Sequence, residues 1–131
     1  MNLATQYKAA AVKLGEAPSS PNRFPQRLLA LHAIELYLDA LLQAKGLDDE
    51  PIHNFHHDLG ERARIAGAAG LVLRQRTLAH LATLSSAKEY LIVRYAPELT
   101  SMLSQMNRVM TTLEEVSRKV PKMVKATRPH K

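Results

Sequence analysis

Six histidines and a dozen carboxylates are the side chains with which this chain could do chemistry. His53, His56 and His57 fall close together and run straight into Asp58. On a helix, residues three and four apart share a face, and imidazoles beside a carboxylate form a donor set suited to zinc or nickel. The segment lies where a loop becomes a helix, however. Asp58 is equally well placed to cap that helix, with the histidines packed or facing solvent, and no metal is expected. A second set, His32, Glu35 and Asp39, is spaced by three and four along one helix. Buried, it would be a site; amphipathicity makes it the solvent face of its helix, which is the expectation. Cysteine is absent, which excludes thiolate zinc sites, disulfides and a cysteine nucleophile. There is no Gly-x-x-x-x-Gly-Lys or Gly-x-Gly-x-x-Gly phosphate cradle and no Gly-x-Ser-x-Gly elbow.

The elements that must position these groups are helical. Apolar residues recur with the helical period in five stretches, and no stretch alternates as a strand would. The first is expected over residues 2–14, burying Leu3, Tyr7, Ala10, Ala11 and Leu14 and stopping at Gly15. Pro18, Pro21 and Pro25 break the chain before a strongly apolar second helix over 26–45, which Gly46 ends. A third helix, rich in Ala and Gly, spans 58–69, its small residues predicting close approach to a neighbour. A fourth runs from 72 to 95. The fifth starts near Pro97 and runs towards Pro121, with Leu99, Met102, Met106, Val109, Leu113, Val116 and Val120 forming a heptad seam. Such a seam serves either the protein's own bundle or a dimer contact; bundle packing is the expectation.

The 131 residues suit one domain, and the formal charge is +6. All twelve acidic residues precede position 118, as do twelve of the eighteen basic ones, so residues 1–117 are neutral overall. The excess belongs to Arg118, Lys119, Lys122, Lys125, Arg128 and Lys131. This divides the chain into a helical bundle, 1–117, and a basic tail, 118–131. The tail is read as solvated, with phosphate backbones as its alternative use. No apolar run reaches membrane-span length, and residues 1–14 lack the order of a signal peptide. A soluble, cytoplasmic protein is expected, with no membrane partner.

Three stretches together carry a family resemblance: His32-Ala33-Ile34-Glu35-Leu36-Tyr37-Leu38 with Leu41-Leu42 and Gly46; His57-Asp58-Leu59; and Tyr90-Leu91-Ile92-Val93-Arg94-Tyr95-Ala96-Pro97. In order and spacing they resemble the HEPN domain, the "higher eukaryotes and prokaryotes nucleotide-binding" helical family. The resemblance implies an all-α, five-helix up-and-down bundle, often a homodimer, associated with nucleotides or RNA. Many members are ribonucleases, or partners of small nucleotidyltransferases in toxin–antitoxin pairs. The nuclease branch carries Arg-x(4–6)-His late in the bundle, but no histidine follows Arg94 until His130. Arg27–His32 fits the spacing too early in the chain, leaving Arg74 and His80 as the catalytic candidates. The chain also departs from the family by carrying Asp39 where a basic residue is common.

The resulting expectation is a non-catalytic nucleotide- or RNA-binding module without a cofactor. The alternatives are a metal-independent RNase toxin and a protein–protein adaptor. Arginine pairs phosphate oxygens with its planar fork, so Arg62, Arg64, Arg76 and Arg94, with His57, are the ligand-binding candidates, and Arg74 stands beside them.

Overall fold

The computed structural model describes residues 2–16, 24–47, 52, 58–86 and 106–127. Five helices lie within them: α1 (Asn2–Glu16), α2 (Phe24–Ala44), α3 (Leu59–Ala68), α4 (Gln75–Ser86) and α5 (Met106–Thr127). Among the described residues there is no strand, and no helix is long and apolar enough to cross a membrane.

Helix α2 is the axis of the molecule and packs on α1, α3 and α5, while α4 bridges α3 and α5. Its breadth of apolar surface explains this position: Ala30, Leu31, Ala33, Ile34, Tyr37, Leu38, Leu41 and Leu42 are all buried, more than one amphipathic stripe would supply. Gly46 ends it as the sequence predicts. At φ +97° it adopts a left-handed conformation. Its N–H donates to the Gln43 carbonyl, and that of Leu47 reaches back to Leu42, a Schellman stop. Gly70, at φ +114°, ends α3 in the same way, with Leu71 N–H on the Ala66 carbonyl. Asp58 caps the start of α3, its side chain accepting from Glu61 N–H at 2.9 Å.

Helices α1 and α2 run antiparallel. Gly15 lies against Gln26 near one end, the Tyr7 and His32 rings stand 4.7 Å apart, and Thr5 shares a hydrogen bond with Tyr37 near the other end. The buried face of α1 is only partly the one expected: Tyr7 packs against the core, but the leucines do not face it. Ala4 and Ala11 are inside, while Leu3 is 53% and Leu14 37% exposed. Two small residues let the helices approach closely, and that approach rotates the leucines to the edge. On α3, Gly60 bears out the expected close approach: a Cβ there would lie 2.9 Å from Ser85 Oγ of α4, whereas Gly67 faces open space.

Helix boundaries differ from expectation: α1 passes Gly15 and ends at Glu16, α2 already begins at Phe24, and the larger differences fall in α4 and α5. Helix α4 begins at Gln75, not at residue 72, because Leu71 and Leu73 are buried as an extended entry after the Gly70 turn. Helix α5 does not stop at Pro121 but continues through it to Thr127. A helix-interior proline costs about 3 kcal/mol. Val124 remains buried beyond the expected stop, and such a side chain returns roughly 1.5–3 kcal/mol. Residues 118–127 are therefore the end of α5, not a separate tail. Of the described seam residues, Val109, Leu113, Val116 and Val120 are fully enclosed within the chain's own core, and Met106 packs half-buried against it. The expected end of the fourth helix and start of the fifth lie outside the described residues.

Candidate functional site

Two polar clusters sit inside this apolar frame. The first joins α4 to α5. Thr77 and His80, one turn apart on α4, face Glu115 and Thr112, one turn apart on α5. Thr77 Oγ1 donates to Glu115 at 2.5 Å, and His80 Nδ1 lies 2.6 Å from Thr112 Oγ1. Moving three residues forward on one helix moves three back on the other, so the helices are antiparallel.

Glu115 is only 1% exposed. It also accepts Arg74 N–H at 2.8 Å and the Lys119 ammonium at 2.6 Å. Lys119 donates in turn to the Val72 carbonyl at 2.8 Å. Desolvation opposes the carboxylate's charge, but Lys119, Thr77 and the Arg74 N–H outweigh it and bring the group down to about 2. Glu115 thus takes up a free N–H at the entry to α4 from a neighbouring helix, where a local cap would ordinarily stand.

His80 is 6% exposed. Burial, and then the charges of Arg108 and Arg27, lower it to about 4. Arg27 from α2 is itself buried and Arg108 on α5 half-buried. The imidazole is therefore neutral at physiological pH, beside two guanidiniums from different helices. Arg74, the other half of the nuclease candidate pair, is exposed and precedes α4. His80 is inside the core while Arg74 is at the surface.

The second cluster joins α2 to α3. Arg62 is 2% exposed, and its Nε donates to Asp39 Oδ1 at 2.6 Å. Its two terminal nitrogens reach the Asp58 and Ile52 carbonyls, each at 3.4 Å. A ligand-binding candidate thus serves the interior: the Asp39 carboxylate, standing where a basic residue was looked for, meets this guanidinium. Burial raises the Asp39 carboxyl, and Glu35 adds to the rise against the opposing pull of Arg62. Glu35 is buried and His32 half-buried against Tyr7. The His32–Glu35–Asp39 set is therefore not the solvent face expected of it. Helix α2 is surrounded on too many sides to keep a wide polar face.

The remaining candidates are scattered. Arg64 is exposed on α3 and pairs with Glu61 through two nitrogens, at 3.0 and 2.5 Å. Arg76 is exposed in the first turn of α4. His57 and Arg94, like His53 and His56, lie outside the described residues. Among the described residues, no three His, Asp or Glu side chains converge as metal ligands. Sequence reasoning missed Glu115, Thr112, Arg27 and Arg108. A signal was present in the matched spacing of polar residues, Thr77 with His80 and Thr112 with Glu115, on two amphipathic helices. Set against known protein families, curated sequences and solved structures, the chain matches none of them.

Proposed function

We propose that the chain is a non-catalytic, HEPN-like module that binds a nucleotide or RNA and acts as a homodimer, in the setting of a toxin–antitoxin or nucleotidyltransferase pair. The surroundings of His80 are the observation that supports this best. A buried imidazole lowered to about 4 is not the imidazolium at neutral pH and lacks the acidic proton a leaving group would need, which disfavours the Arg74–His80 nuclease. The two arginines acting on it are the residue type that grips phosphate. Arg108, half-buried, is the more accessible of the two, and Arg94, His57 and Arg76 are further contacts in this reading. Arg62 drops out, being occupied with Asp39.

Titration with a mononucleotide and with RNA at two salt concentrations tests the reading. Arg108→Gln should weaken mononucleotide binding at least tenfold, the effect of losing one charged hydrogen bond of about 1.5–3 kcal/mol. Metal-free RNA cleavage that vanishes in His80→Ala would instead establish the RNase alternative. Light scattering decides the dimer, and a strictly monomeric mass removes it. The adaptor reading draws on Leu3, Val12 and Leu14, all exposed on α1. It gains if the protein binds neither ligand at low salt.

A further inference from the structure

The last turns of α5 carry a feature separate from the His80 cluster. Arg118, Lys122 and Lys125 are exposed and stand four and three positions apart, so they line one side of the helix. The other side, with Val116, Val120 and Val124, is buried in the core. Lys119 does not belong to the line, because its ammonium is held by Glu115 and the Val72 carbonyl. Arg118 shares its charge with Glu114 at 3.4 Å, while no ion pair engages Lys122 or Lys125 among the described residues.

We propose that Arg118, Lys122 and Lys125 form a docking rail for the phosphate backbone of RNA. This rests on the reading of the chain as a binder of phosphate-bearing ligands. At 1.5 Å per residue the three cations extend over about 10 Å. A nucleic-acid duplex presents one phosphate per strand for roughly every 3.4 Å of axis, so about three phosphates lie alongside. The cations sit at the C-terminal end of a helix, where the macrodipole favours them. Recognition is blind to sequence: two of the three groups are ammonium point charges, and no Asn or Gln lies between 118 and 125 to read a base edge. A lipid surface fits less well, because the apolar side of α5 faces the core and leaves nothing to insert.

The test uses the full chain and the Lys122→Gln/Lys125→Gln variant. A labelled mixed-sequence RNA duplex, a mononucleotide and phosphatidylserine vesicles are the probes, with salt between about 50 and 200 mM. Both lysines are exposed, so the variant should keep the parent's circular dichroism and melting. It should bind the duplex at least tenfold more weakly at low salt. Its slope of log affinity against log salt should be shallower by about two, at about 0.9 per phosphate contact. Its mononucleotide affinity should not change. An unaltered duplex affinity and slope overturn the rail, as does a parent that ignores the duplex at low salt. Lysine-dependent binding to vesicles without duplex binding reassigns the surface to membranes and overturns it too. Lysine-dependent duplex binding without mononucleotide binding upholds the rail while removing the His80 cluster as a nucleotide site.

Discussion

Thr77 and Glu115, thirty-eight positions apart in the chain, meet at 2.5 Å in the interface between α4 and α5. The carboxylate gathers a hydroxyl, a backbone N–H and an ammonium, so one buried charge sets where α4 begins, how it registers on α5 and where Lys119 points. Replacing Glu115 by Ala should destabilise the protein by about 3–5 kcal/mol, since it leaves the Lys119 ammonium, the buried Thr77 hydroxyl and the part-buried Arg74 N–H unmatched. Urea denaturation measures this. In a double-mutant cycle, Thr77→Val and Glu115→Ala should be clearly non-additive.

Glu115 also gives the fold an acid limit. Its folded value of about 2 lies below the ordinary 4.5. The stabilisation is therefore complete above pH 4.5 and disappears as pH falls through about 2. At 1.36 kcal/mol per unit this corresponds to about 3 kcal/mol.

His80 acts in a separate and higher window. Its folded value of about 4 lies below the 6.5 of a free imidazole, so the unfolded chain binds the extra proton between those values. Stability should be greatest above pH 6.5 and fall as pH drops towards 4, by about 3 kcal/mol in all. His80→Asn should flatten the dependence between those pH values and leave the lower Glu115 limb in place. A denaturant midpoint series across pH separates the two limbs.

Arg62 is the ligand candidate whose removal should read as lost stability. Arg62→Ala strips Asp39 of its buried partner and should cost about 3–5 kcal/mol in urea melts. Arg62→Lys should recover only part of this, since one ammonium cannot reach Asp39 and both carbonyls as the fork does.

Pro121 should behave in the opposite sense. Pro121→Ala restores a donor inside α5 and removes the ring's clash with the preceding turn. It should stabilise the chain by up to about 3 kcal/mol and raise Tm by several degrees. An unchanged or lowered Tm in a calorimetric scan would refute this.

Where backbone chemistry decides the structure, the residues announce it. Asp58 as a cap and Gly46 as a stop are local devices, and they fall where the sequence places them. The heptad positions from Val109 to Val120 likewise read directly as core. The misread features depend on partners distant in sequence. Leu3 and Leu14 carry the right period for burial on α1, but Ala4, beside Ala11 as expected, allows the closer approach and takes the interior. Helix α5 passes Pro121 because Val124 finds a place inside. Polarity marks His32, Glu35 and Asp39 as surface residues, and only the position of Arg62 on α3 explains why Asp39 sits inside. The same limit applies to the candidate site: His80 was visible, but the helices that bring Arg27 and Arg108 towards it were not.

The Arg62 guanidinium reaches carbonyls at Ile52 and Asp58, the two flanks of a five-residue stretch. One side chain rooted in α3 thereby keeps the two flanks close, independently of the chain that links them. Because the same fork also holds Asp39 on α2, the start of α3, the Ile52 backbone and the α2–α3 contact hang on one guanidinium and would loosen together if it were lost.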